Sequence, residues 1–243
     1  MKMKEKNLIL IFGFIISLHH ALLVPNCCTQ ASTAPCKKTD FLTDCLQSEQ
    51  IIPNLGIVRK QVRSYFESGM YEKELLCIAR KIKQYISSFS PPHEKYALVF
   101  DIDDTLLSTW PLNKKTNCGY DKKRFLKWEL SAKLPAVKPM RNVYNRALQK
   151  GFSLFLITGR KPHLKEATIK NLNQQGFYGW KNIFFSPLDK ADMSRAAYKS
   201  SVRKSIQEQG YTIIATIGDQ LSDLQGGYAK KSFKLPNPMY YIP

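Results

Sequence analysis

The sequence has no heptads, no repeat of fixed period and no low-complexity tract, which excludes coiled-coil, solenoid and linker-like architectures. Histidine is scarce: there are four in 243 residues, and only His93 and His163 lie beyond the first thirty. The six cysteines show no Cys-x-x-Cys or Cys/His spacing, so no zinc site is readable. Acidic residues are also few, 19 against 37 Lys and Arg, which leaves a formal charge of +18. Such a chain attracts anions; nucleic acid, anionic lipid and phosphorylated small molecules all suit it, and a plainly solvated basic surface is the bland alternative.

Long hydrophobic runs are missing with one exception. Leu8 to Ile16 is unbroken, preceded by Lys2, Lys4 and Lys6 and followed by His19-His20 and Pro25. The run is short for a membrane span, and its basic-then-apolar order is that of a secretory signal. Residues 1–31 are therefore expected to be a signal peptide cleaved after Ala31, with a periplasmic or secreted product. An uncleaved or lipid-bearing anchor is the other reading and the one route to a membrane, although Val-Pro-Asn before Cys27 is a poor lipidation site. Export would put Cys36, Cys45, Cys77 and Cys118 in an oxidising compartment, where one or two structural disulfides are expected.

With 44% hydrophobic residues, the rest is long enough for one full α/β domain. Residues 32–92 read as a helical N-terminal extension: Leu75, Ile78, Ala79, Ile82 and Ile86 recur at helical spacing, and Ser90-Pro91-Pro92 stops them. Tyr96 to Phe100 is a continuous apolar run ending in Asp101. Phe152 to Ile157 ends in Thr158-Gly159-Arg160, Asn182 to Phe185 in Ser186-Pro187, and Thr212 to Ile217 in Gly218-Asp219. Between them lie helical stripes: Met140, Val143, Tyr144, Ala147 and Leu148; then Leu164, Ala167, Thr168 and Leu172; then Ala196-Ala197, Val202 and Ile206. Alternating buried strands and helices predict a parallel sheet with helices on both faces, and ligands bind such sheets beyond the carboxyl ends of the strands.

The residues that end the runs therefore share one crevice. Asp101 and Asp103 leave the first strand, Thr158 the second, and Asp219 and Asp223 the fourth. Carboxylates gathered this way repel one another unless a hard cation joins them, and Mg²⁺ suits an all-oxygen set completed by water and phosphate. A phosphate beside the metal also wants a cation from the protein, and Lys199 on the third helix is placed to supply it, with Lys190 as the alternative.

Asp101-Ile102-Asp103-Asp104-Thr105, Ile157-Thr158-Gly159-Arg160, Tyr198-Lys199-Ser200 and Gly218-Asp219-Gln220-Leu221-Ser222-Asp223 resemble the four motifs of haloacid dehalogenase (HAD) superfamily phosphatases. The similarity is to the plant acid phosphatase and vegetative storage protein group and its bacterial class B/C relatives. Thr168 to Leu172, Gly176 to Trp180 and the ending Phe233 to Ile242 extend it over roughly residues 45–243. The resemblance implies a HAD-type Rossmann-like core at 93–243, with a small helical cap inserted at about 113–138. It implies Asp101 as nucleophile and Asp103 as general acid and base. Thr158, Gly159, Arg160 and Lys199 would bind the phosphoryl group, with Thr158 and Lys199 also catalytic, and Asp101, Asp103, Asp219 and Asp223 would hold the metal. The implied activity is that of an exported, Mg²⁺-dependent acid phosphatase of small phosphomonoesters, possibly including nucleotides as substrates, without a specific nucleic-acid partner.

Two departures accompany the likeness. Phe185-Ser186-Pro187 stands where the group has Leu-Arg after the third strand, so any substrate contact by that arginine is absent. Leu221 replaces a usual Trp. Cys118 to Arg124 formally satisfies Cys-x5-Arg, but no strand precedes it as a phosphate-cradling loop requires. The rival reading is a non-catalytic, basic anion-binding or storage protein on the same fold, and the retained Asp101 speaks against it.

Overall fold

The apolar runs ending before Asp101, at Thr158 and at Gly218 become strands buried on both faces, whereas Asn182 to Phe185 becomes a partly buried strand at the sheet edge. A computed structural model of the chain describes residues 53–91, 95–187 and 193–242. The strands are β1 (Tyr96–Phe100), β2 (Ser153–Thr158), β3 (Asn182–Phe185), β4 (Thr212–Gly218) and β5 (Lys231–Lys234), all parallel in the order β3-β2-β1-β4-β5. β5 was not expected: Lys-Ser-Phe-Lys carries a single apolar residue, and as an edge strand it buries only Phe233.

Seven α-helices accompany them among the described residues: α1 (Leu55–Glu67), α2 (Met70–Ser87), α3 (Trp110–Thr116), α4 (Lys122–Leu130), α5 (Lys138–Gln149), α6 (Lys165–Gln174) and α7 (Arg195–Glu208). The described part of the helical lead-in is two helices, parted at Gly69, whose φ of 78° lies in the left-handed region that glycine tolerates. α2 buries Leu75, Ala79, Ile82 and Ile86, four of the five apolar residues of the predicted stripe. α5 opens with Pro139 in its first turn, where a missing N–H costs nothing, and buries Met140, Val143, Tyr144 and Ala147.

Alternation along β1 divides the core. Leu98 and Phe100 join a large apolar cluster with α2 and α5, whereas Ala97 and Val99 join a smaller one with Tyr198 and Ile206 of α7. The sheet is thus covered on both faces. The described residues fall in one compact unit spanning Ile52–Pro243, and none of their helices is long and apolar enough to cross a membrane. Cys77 and Cys118 are free thiols, so of the one or two disulfides expected the second is excluded. The signal segment, Cys36, Cys45 and Lys190 lie outside the described residues.

Candidate active site

The carboxyl ends of β1, β2 and β4 carry the predicted site residues. Asp101 follows β1 directly, and its N–H donates to the Ile217 carbonyl of β4 at 3.0 Å, fixing the two strand ends side by side. Asp101, Asp219 and Asp223 are all buried, and one carboxylate oxygen from each lies within 4.8 Å of the others. Lys199 reaches in from α7: its Nζ donates to Asp101 Oδ1, and to Asp223 Oδ1 at 2.5 Å.

Burial, reinforced by the neighbouring carboxylates, raises the Asp101 carboxyl well above its ordinary value although Lys199 opposes the shift. Burial and the charges of Asp223 and Asp104 push Asp219 up to about 7. Burial pulls Lys199 down, but Asp101 and Asp223 outweigh it and hold the ammonium above the usual lysine range. One lysine faces three acids, and the excess negative charge is what a divalent cation would neutralise. All the donors are hard oxygens, so the residues fit such an ion.

Several groups that the sequence patterns did not single out hold these acids in place. Asp223 Oδ2 accepts from the Gln220 N–H at 2.8 Å, and its carbonyl accepts from Thr216 Oγ1 at 3.1 Å. Arg203, fully buried on α7, donates to the carbonyls of Asp223 and Gly227 at 2.9 Å and to that of Gln225. Gly218 is required by close approach, because a Cβ there would stand 2.3 Å from Asp223 Cβ and Oδ2.

The chain's last described segment crosses the crevice. Asn237 Nδ2 and Gln220 Nε2 each donate to Asp219 Oδ2 at 2.7 Å, and Thr105 Oγ1 donates to Asp219 Oδ1 at 3.2 Å. Tyr240 donates its hydroxyl to Asp104 Oδ2 at 2.6 Å, and Asp104 also receives the Thr109 N–H at 2.8 Å. Asp104 is thus a tie between the loop after β1, the start of α3 and the terminal segment.

Asp103 and Arg160 face each other. Arg160 Nε and Nη2 donate to the two Asp103 oxygens at 2.9 and 2.6 Å, and Nη1 donates to Thr168 Oγ1 at 3.0 Å. Glu129, from α4, lies 3.7 Å from Arg160. The Arg160 guanidinium is therefore committed to protein partners, where the resemblance implied a substrate contact. Thr158 is buried, and its Oγ1 accepts the Arg160 N–H at 3.1 Å.

The crevice over these groups has a volume of 230 Å³ and is lined by Asp101, Asp103, Lys199, Asp219 and Asp223 among others. A second cavity of 450 Å³ adjoins it through shared residues Asp103, Tyr120, Glu129, Arg195, Tyr240 and Ile242. Phe125, Trp128 and Tyr241 give that cavity its apolar wall.

Fold and site together define a parallel α/β protein with an acidic crevice at its strands' carboxyl ends: the class C acid phosphatase of Bacillus anthracis shares the fold at a TM-score of 0.62, with 22% identity, over 76% of this chain and 86% of that one. The chain belongs to the HAD superfamily, subfamily IIIB (Acid phosphatase), which matches residues 42–243. Acid phosphatase 1 of Solanum lycopersicum is 33% identical over 186 residues, covering 74% of this chain and 73% of the relative. The stem 28 kDa glycoprotein of Glycine max is 36% identical over 156 residues and vegetative storage protein 1 of Arabidopsis thaliana 35% over 149. The matches span 61% and 55% of those two relatives' lengths.

Proposed function

We propose that this chain is an exported, Mg²⁺-dependent phosphomonoesterase of small phosphorylated molecules, working at acidic pH through an aspartyl-phosphate on Asp101. The observation that supports it most is the buried meeting of Asp101, Asp219, Asp223 and Lys199 at one sheet edge. Family membership supports the acid phosphatase class, and the sequence's leader supports export.

Asp101 attacks phosphorus in line, so an Oδ–P bond forms as the ester P–O bond breaks. Asp103 gives its proton to the departing oxygen, then takes one from the water that releases orthophosphate and restores Asp101. Arg160, clasping Asp103 with two parallel bonds, keeps that carboxyl aimed at the leaving side. Thr158 and Lys199 bear on the phosphoryl oxygens, and the Lys199 charge opposes, without cancelling, the burial that raises the Asp101 carboxyl. Mg²⁺, held by Asp101, Asp219, Asp223 and the Asp103 backbone, would screen the attacking carboxylate from the phosphate's charge. Residues 113–138 serve as a cap whose aromatic side chains meet the leaving group.

The test is hydrolysis of p-nitrophenyl phosphate from acid to mildly alkaline pH, with Mg²⁺ or with EDTA, beside Asp101→Asn. Metal-dependent turnover that falls at least about a thousandfold in the variant is the expected result, since it loses its nucleophile. Folded, metal-loaded protein that turns over nothing would instead favour the storage reading, which the likeness to vegetative storage proteins recommends.

A further inference from the structure

The crevice contains three cations among its described lining residues, and two are already matched to acids. Lys199 is bound to Asp101 and Asp223, and Arg160 has both Nε and Nη2 on Asp103. The third is Arg195, the first residue of α7, which lines both the catalytic crevice and the aromatic cavity beside it. It makes no ion pair with any described residue. Its hydrogen bonds to described residues all use Nη1, which donates to Ser186 Oγ at 2.7 Å and to the Gly159 carbonyl at 3.3 Å.

Those two bonds fix the guanidinium without using its fork. A Cβ built on Gly159 would lie 3.8 Å from Arg195 Cζ and 3.9 Å from Nε and Nη1, so the group rests in contact with the backbone immediately after Thr158. Nε and Nη2 are a pair of nitrogens whose N–H bonds run parallel, the pair with which Arg160 grips Asp103 in the same crevice. On Arg195 that pair has no partner among the described residues. A half-buried arginine, pinned by one nitrogen, presenting its fork and its charge to a cavity, is built for an oxyanion.

We propose that Arg195 is a substrate-binding residue that grips the phosphoryl group of the phosphomonoester through Nε and Nη2, one helical turn before Lys199 on α7. This rests on the phosphatase reading above for the identity of the anion, but not for the geometry. Ser186 and Gly159 then act as its positioning partners. Gly159 contributes its carbonyl, which accepts from Nη1 at 3.3 Å.

The experiment is calorimetric titration of the full chain with orthophosphate in Mg²⁺, run beside p-nitrophenyl phosphate kinetics. Arg195→Met is expected to weaken phosphate binding roughly 10- to 100-fold, the range for a lost charge-assisted pair, and to raise KM by a similar factor with a smaller change in kcat. Arg195→Lys should recover only part, because an ammonium offers no fork. Lys204→Met removes the same charge from an exposed ion pair with Glu208 and should leave both readings unchanged, and the Tm of each variant reports whether it still folds. Phosphate affinity in Arg195→Met within twofold of the wild type would overturn the proposal. A wild type that binds phosphate but hydrolyses nothing would overturn the phosphatase reading alone, since the titration still separates Arg195 from the control.

Discussion

The two faces of the sheet are filled differently. On the face of α2 and α5, the buried cluster is apolar throughout and runs from Leu75 to Leu235. On the face of α7 it has seven members, and the helix above it buries Lys199 and Arg203 beside Tyr198 and Ile206. The first face gains stability from area removed from water. The second gives up apolar burial for two cations, each held in place by acids or carbonyls of the crevice. Stability and chemistry are thus largely assigned to opposite sides of one sheet, and substitutions on the two sides should fail in different ways.

Lys199→Met should give the largest effect. It leaves Asp101 and Asp223 buried without their cation, which costs about 3–5 kcal/mol in metal-free buffer, and it should lower kcat roughly 10²- to 10³-fold by removing the charge beside the nucleophile. Urea unfolding and phosphatase kinetics read the two losses, and added Mg²⁺ should return part of the stability but not the rate. Ile82→Ala, fully buried on the opposite face, should cost about 2–5 kcal/mol through the cavity it opens. Its kcat and KM should match the wild type at any temperature where it remains folded. A variant of Ile82 that stayed stable but lost turnover would break the division between the faces.

That division also explains what could be read in the sequence. β1 to β4 were legible because four continuous apolar runs end abruptly in polar residues, and the topology brings Asp101, Thr158 and Asp219 to one edge. The stripe on α5 was legible for the same reason, since apolar spacing alone determines it. α7 was legible only in part: Ile206 is buried and Val202 packs beside it, but Ala197 is exposed, and the buried line is Tyr198, Lys199, Arg203 and Ile206, half of it cationic and so invisible to an apolar count. β5 was missed because an edge strand needs only Phe233 inward. Asn237 and Tyr240 meet Asp219 and Asp104 across 18 and 136 positions, and no local pattern encodes such contacts. Arg195 belongs to the same kind: the sequence has Ser186 where the resemblance implied an arginine, and the fold lays Arg195 on that serine from nine positions away.

Glu129, half-buried on α4, shows what becomes of an acid that has no cation of its own. It shares Arg160 with Asp103, which takes both parallel nitrogens and leaves Glu129 at 3.7 Å. Burial first, and the charge of Asp103 second, raise its carboxyl from 4.5 to about 7 against the pull of Arg160. A folded-state value above the unfolded one means that the native chain holds this proton more tightly, so ionisation works against folding. Stability linked to Glu129 is therefore intact below 4.5, declines as pH rises through the window, and is fully lost above about 7. Glu129→Gln removes that dependence. Its stability relative to the wild type should increase across the same window by on the order of 1–3 kcal/mol, read as a pH series of urea midpoints. A difference that stays flat with pH would mean that Arg160 compensates both acids at once, and the contrast between acids with a dedicated cation and acids without one would not extend beyond the α7 face.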